Sequence, residues 1–147
     1  MNIVSFYTSF GWITSYEENN LITSIKFGKG KNIGSSVLLK KLKKQIIEYT
    51  KGKRKKFTIK LNIQGTVLQK KIWKKLANIN YGSTNTYGDI AKSLHTSPRY
   101  VGNVCGQNNH LIIIPCHRVI KSDGSLGGFS GQGGIELKYK LLQLEQS

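Results

Sequence analysis

A chain of 147 residues and 16.5 kDa holds one domain or two small ones, and 38% hydrophobic residues supply a core, which excludes wholesale disorder. Its 23 Lys+Arg against 7 Asp+Glu give a net charge of +16, which favours polyanionic partners; since 20 of those cations are Lys, a bias that genome base composition alone produces, charge suggests nucleic acid without establishing it. Two cysteines rule out a disulfide framework and a four-Cys zinc site, the longest aliphatic run (Leu111 to Ile114) is too short to cross a bilayer, and MNIVSFYTSF has no secretory character, so a cytoplasmic, reducing compartment is expected.

In chain order, IVSFYTS, GWITSYE and LITSIKF between Ile3 and Phe27 are rich in Ile, Val, Tyr, Phe and Thr. Gly11 and Glu18-Asn19-Asn20 punctuate them, which predicts an antiparallel meander. Lys29 to Gly34 is a loop. Ser35 or Ser36 then caps a helix to about Tyr49, with Leu38, Leu42, Ile46 and Tyr49 at helical spacing and lysines on the other face. The cluster Lys51-Gly-Lys53-Arg54-Lys55-Lys56 reads as a solvated turn rather than a specific reader. Phe57 to Asn62 alternates and predicts one more strand.

After Gly65 the pattern becomes helical. Thr66-Val-Leu-Gln69 has capping-box form, and Leu68, Ile72, Trp73 and Leu76 line one face. Tyr81-Gly82-Ser83 ends that helix. A short helix follows from Asp89 to Leu94. Ser97 caps another with Pro98 at its first position, running to about Gln107 with Val101, Val104 and Cys105 buried. Two short helices in succession resemble a helix-turn-helix, though many helical hairpins bind nothing. Gly124 to Gly134 is a glycine-rich loop without nucleotide-cradle order. A last helix runs from about Ile135 to Glu145. The expected division is an α/β domain over residues 1–62 and a helical domain over 63–147, with net charges of +10 and +6.

The segment Leu111-Ile-Ile-Ile-Pro115-Cys116-His117-Arg118-Val119 carries the most chemistry. Pro115 forces Ile114 toward an extended conformation, so an apolar run stops abruptly at a Cys beside a His. Neighbouring side chains do not face each other in a regular helix, but at a turn, or through a water, His117 can act on Cys116. A nucleophilic thiol needs such a base, because the thiolate is the reactive species. For an isolated Cys-His pair the plain alternative, a buried Cys and a satisfied His, is the commoner outcome. Cys105 reads as packing.

Ile114-Pro-Cys-His-Arg-Val119 is similar to the active-site signature of the O6-alkylguanine-DNA alkyltransferases, the methylated-DNA–protein-cysteine methyltransferases. Gly65-Thr-x-x-Gln-x-x-x-Trp73, Tyr81-Gly82, Thr86-Tyr-Gly-Asp-Ile-Ala91, Pro98-Arg-x-Val-Gly102, Asn108, Gly124-Ser-Leu-Gly-Gly-Phe-Ser130 and Leu137-Lys-x-x-Leu-Leu-x-Leu-Glu145 follow in the family's order and spacing. The resemblance covers residues 65–147 and is weaker before them. It implies an α/β (α+β) fold: an N-terminal antiparallel sheet with a helix, ribonuclease H-like, then a helical domain of winged-helix, helix-turn-helix type that binds DNA and transfers the alkyl group.

The resemblance also implies single-turnover DNA repair. The Cys116 thiolate attacks the alkyl carbon on O6 of guanine, with O4-alkylthymine as a candidate second substrate, and the thioether product spends the protein. His117 takes the thiol proton through a water and Glu145 orients His117, if Glu145 is buried rather than frayed. Tyr87 hydrogen-bonds the leaving base, Ser130 the O6 atom, and main chain near Cys116 and Val119 the exocyclic amine. The target base is flipped out, and Arg99 fills its place. Pro98, Gly102 and Asn103 lie on the helix set into the minor groove, where Gly102 and Gly106 bare its surface. Asn108 supports the active-site segment. No cofactor and no metal are implied. The partner is double-stranded DNA containing O6-alkylguanine, not a membrane, with a monomer expected and cooperation along DNA left open. His95 and His110 have no assigned counterpart. Asn109, Phe129 and Leu111 depart from common family residues, Leu111 at the pocket's edge, and bear on substrate size. The alternatives are a non-catalytic lesion-binding module and, more weakly, a Cys-His hydrolase.

Overall fold

The computed structural model describes residues 1–128 and 134–147. It divides into two compact units, one of residues 1–63 with 109–111, the other of residues 64–108 with 112–147. Ser130 and Phe129 lie outside the described residues.

The first unit opens with strands β1 (Asn2–Thr8), β2 (Gly11–Glu18) and β3 (Leu21–Phe27), an antiparallel sheet in that order. The β2–β3 hairpin closes through Asn19 and Asn20, both at positive φ (52° and 64°). Asparagine tolerates that conformation better than other side-chain-bearing residues, and two such residues give the turn whose twist matches its strands. Helix α1 (Val37–Thr50) starts where Ser36 Oγ accepts from Leu39 N, and it buries Leu39, Leu42, Ile46 and Tyr49. Phe6, Ile13, Ile22 and Ile25 of the sheet complete this core.

Phe57 to Asn62 forms no strand, contrary to its alternation. Gln45 on α1 captures the segment instead, donating from Nε2 to Thr58 Oγ1 (2.7 Å) and accepting from Thr58 N (3.0 Å). Only an isolated bridge from Leu61 to Ile22 remains. Three residues from far along the chain join this unit: Ile25 N donates to Asn109 O (2.7 Å), and His110 Nε2 lies 3.0 Å from Ile22 O.

The second unit is mostly helical. Helix α2 (Val67–Ala77) carries a reciprocal capping box, Gln69 N to Thr66 Oγ1 and Thr66 N to Gln69 Oε1. Strand β4 (Asn85–Thr86) leads directly into α3 (Tyr87–Ser93), which starts two residues before the expected helix because Thr86 caps it at Asp89 N. Helix α4 (Pro98–Gly106) follows, capped by Ser97 and packed on α3. A 3₁₀ turn over Cys116–Arg118 runs into β5 (Val119–Ile120), which pairs in parallel with β4. Helix α5 (Gly134–Gln146) ends the chain. Among the described residues no helix is long and apolar enough to cross a membrane.

Candidate active site

Ile112 holds φ at 75°, although it is β-branched. Such a residue avoids this region because its side chain crowds the backbone, so the surrounding structure must impose it. Pro115 stands two positions beyond Ile113 and precedes the 3₁₀ turn carrying Cys116, His117 and Arg118. Asn108, two residues after α4, donates from Nδ2 to Ile114 O (2.8 Å) and also hydrogen-bonds the Cys116 thiol.

Cys116 is 3% exposed yet lines a cleft of about 710 Å³. Tyr87, Arg99, Gly102, Cys105 and Gly106 line the same cleft, so α3, α4 and the 3₁₀ turn converge on one opening. Burial pushes the Cys116 thiol up from its ordinary value, against the Asn108 hydrogen bond and the Lys138 charge, which favour the thiolate. Cys105 is buried on the apolar stripe of α4 as its spacing predicts, but also reaches the cleft wall; burial pushes its thiol up to about 12.

Behind Cys116 lies a buried charged cluster. His117 is fully buried, and its Nε2 is 2.7 Å from Glu145 Oε2. Glu145 is 4% exposed, so it is not a frayed helix end. Arg118 holds the same carboxylate with two prongs, Nε to Oε1 (2.8 Å) and Nη2 to Oε2 (3.0 Å), while its Nη1 donates to Ile79 O (2.7 Å). Gly82 N approaches Oε1 at 3.4 Å. Burial lowers the His117 pKa, outweighing the hydrogen bond and charge of Glu145, with Arg118 and Lys138 adding to the lowering. The imidazole therefore rests neutral. With Nε2–H given to Glu145, its lone pair sits on Nδ1.

Lys138, near the start of α5, is fully buried. Its ammonium donates to Tyr87 Oη (3.2 Å), Gly128 O (3.1 Å) and Leu126 O. Three protons meet three acceptors. Because Tyr87 Oη accepts from Lys138, the phenolic hydrogen is turned to other acceptors. Burial pushes the Tyr87 phenol up to about 12, so it stays a donor. Gly127, at φ 73°, closes over this ring: a Cβ there would come within 3.0 Å of Tyr87 Oη.

Pro98, Arg99, Gly102, Tyr87 and Cys116 thus meet at the cleft, and His117, Glu145 and Asn108 stand behind it. Asn103 is exposed on α4 and Val119 is buried at the start of β5; neither lines the cleft. Leu111, expected at the pocket's edge, is buried in the first unit. Arg118 and Lys138 stand in the quoted motifs but carry no role from the sequence reading. The signal for Lys138 was its place on α5, three and four residues before the buried Leu141 and Leu142. Among the described residues no three His, Cys, Asp or Glu side chains gather as a metal site.

Residues 67–147 match the family model of the 6-O-methylguanine DNA methyltransferase, DNA binding domain. The inducible methylated-DNA–protein-cysteine methyltransferase of Bacillus subtilis (strain 168) is 44% identical over 104 residues, 69% of this chain and 57% of that relative, so the match spans little more than half of its length. The methylated-DNA–protein-cysteine methyltransferase of Metallosphaera sedula is 36% identical over 146 residues, 97% of this chain and 92% of that one. A crystal structure of Mycobacterium tuberculosis OGT in complex with DNA superposes with a TM-score of 0.87 at 31% identity, covering 99% of this chain and 93% of that one.

Proposed function

The chain belongs to the methylated-DNA–protein-cysteine methyltransferases, and we propose that it repairs DNA by moving the alkyl group from O6 of a damaged guanine onto Cys116. The observation that carries this reading is a cysteine that lines a cleft of about 710 Å³ while the adjacent His117 is clamped to a buried carboxylate.

The reaction follows from the charges. At neutral pH the buried Cys116 is a thiol and His117 a neutral base. His117 Nδ1 takes the thiol proton through a water, and Glu145 stabilises the imidazolium that forms. The thiolate displaces the alkyl carbon from O6: the S–C bond forms, the C–O6 bond breaks, and the electron pair passes into the purine. Tyr87 donates a hydrogen bond to the ring as this charge develops, which stabilises the transition state more than the bound base. Guanine takes up a proton and is restored. The thioether has no ready leaving group, so each molecule acts once. No cofactor enters this balance.

O6 lies on the pairing edge of a stacked base, so the nucleotide must leave the duplex. Arg99 is exposed at the second position of α4 and lines the cleft mouth, which supports its entering the space vacated by the base. Helices α3 and α4 act as the helix-turn-helix, with α4 in the minor groove. Open space around Gly106 and the exposed Asn103 support close backbone approach there. Minor-groove patterns are degenerate, so little sequence preference follows. Tyr87, Gly88, Gly102 and Gly128, which line the cleft with Cys116, form the base pocket. O4-alkylthymine is a second substrate of the same displacement. The protein works as a cytoplasmic monomer.

Intact-mass measurement after incubation with duplex carrying O6-methylguanine tests the reading. A gain of one methyl group, absent in Cys116→Ala and never exceeding one lesion repaired per molecule, is expected. Tight binding with no mass change would leave a lesion-binding module instead. Repeated turnover would indicate a hydrolase.

A further inference from the structure

The alkyl-transfer reading uses the second unit and leaves the densest charge in the chain, on the first unit, without a task. Between Glu18 and Asp89 the sequence holds one acidic residue, Glu48, and over residues 40–60 it holds ten cations. Glu48 is engaged by Arg54 at 3.0 Å. Lys40, Lys41 and Lys44 of α1, and Lys51, Lys53 and Lys56 after it, are all exposed.

A helix face that only needs to be wetted carries both signs, because glutamates four residues before lysines stabilise it. Helix α1 does the opposite. Lys40 and Lys44 stand four apart, Lys41 and Lys44 three apart, and its first turn has no acid. Each like-charged neighbour destabilises the helix, a cost a bound polyanion would remove. The apolar stripe of α1, Leu39, Leu42, Ile46 and Tyr49, is buried, and Val37 at the start of the helix is its one fully exposed large apolar side chain, too little for a face that enters a lipid surface. What remains is mostly charge. Nearly all of it is Lys, whose ammonium meets a phosphate as a point charge and reads no base.

We propose that α1 and the Lys51–Lys56 turn form a second, sequence-independent contact with the phosphates of double-stranded DNA, separate from the helix pair beside the cleft. It supplies affinity and encounter rate, not lesion recognition. The idea takes DNA as partner from the alkyl-transfer reading, but its test does not require that reaction to occur.

The full-length chain is titrated with undamaged duplex by fluorescence anisotropy over a range of salt. Lys40→Gln/Lys44→Gln/Lys56→Gln is compared with Lys26→Gln/Lys29→Gln/Lys31→Gln, which removes equal charge elsewhere in the same unit. Each lost phosphate contact lowers the slope of log K against log salt by about 0.9. The first variant is expected to lose about two to three units of slope and at least about tenfold in affinity at low salt, the second much less. Equal losses in both would reduce the effect to net charge and overturn the proposal, as would no loss in either. Cys116 alkylation by free O6-benzylguanine reports separately: an unchanged rate in both variants shows an intact second unit, and no alkylation even in the natural chain removes the repair reading while the slopes still decide this one.

Discussion

Arg118 grips Glu145 with two parallel hydrogen bonds, at 2.8 and 3.0 Å, inside a protein interior that leaves the carboxylate side chain no exposure at all. Glu145 is thereby held in place beside His117, and its negative charge is balanced while the imidazole is neutral. The pair sets geometry and basicity together. It does not by itself establish added stability, since taking two ions out of water offsets most of their attraction.

Removing one partner alone is a different matter. Arg118→Met leaves a buried carboxylate without its main counter-charge and is expected to lower unfolding free energy by about 3–5 kcal/mol, read from urea denaturation. Arg118→Met/Glu145→Leu removes both charges and should regain much of that loss while still failing to alkylate Cys116 at the natural rate, because His117 then loses the Glu145 carboxylate at Nε2. A double variant no more stable than Arg118→Met would refute the view of the pair as a mutually dependent unit.

The rate of Cys116 alkylation should hold steady across neutral pH and decline only below pH 6.5, the ordinary histidine value. The sign follows from burial: the lowered pKa of His117 keeps it neutral, and able to take a proton, at pH values where an exposed histidine is already charged. A pH–rate profile against free O6-benzylguanine, at concentrations far below saturation, measures the free protein's value. An acid limb centred above 6.5 would mean that the Glu145 charge outweighs desolvation.

Lys138 aims the Tyr87 hydroxyl rather than touching the reacting atoms. Lys138→Met keeps the length of the side chain but strips a donor from Tyr87 Oη and from the Leu126 and Gly128 carbonyls. Alkylation is expected to slow by roughly 10- to 100-fold, the range of a displaced acid group. Tyr87→Phe should slow it comparably, and the double variant by less than the product of the two losses, because both changes disturb the proposed Tyr87 hydrogen bond to the base while Lys138→Met also removes a charge that favours the Cys116 thiolate. Multiplying losses would make Lys138 and Tyr87 independent contributors.

What the sequence made legible was local. Thr66 with Gln69, and Ser97 with Pro98, marked helix starts because cap and pattern coincide. The alternation of Phe57 to Asn62 misled, since a glutamine from a separate helix took its backbone partner. The parallel pair β4–β5 has two residues per strand, drawn from positions far apart, and leaves no periodic trace. Nothing in the composition of Leu111 to Ile114 announces that Ile112 adopts a positive φ. Cys116 beside His117 was visible as chemistry, but adjacency in the chain says nothing of a carboxylate 28 residues on. Glu145 was reachable through family resemblance alone, and the double grip of Arg118 on it through neither route.

The division of labour between cleft and helix α4 gives the sharpest kinetic test. Arg99 is exposed and lines the mouth of the cleft, whereas Cys116, His117 and Glu145 lie in its wall and behind it. A free base needs no extrusion from a stack, so Arg99→Ala should leave alkylation by free O6-benzylguanine within about twofold of the natural rate. On duplex carrying O6-methylguanine the proposed extrusion requires that the vacated place be filled, and unstacking costs a few kcal/mol. Losing that plug should slow repair roughly 10- to 100-fold, equivalent to about 1.4–2.7 kcal/mol. Raising the duplex concentration separates the two ways this can happen. A defect that disappears at saturation is lost phosphate binding, and one that persists is lost flipping. Equal slowing on free base and duplex would place Arg99 in the support of the cleft itself and remove it from the extrusion step.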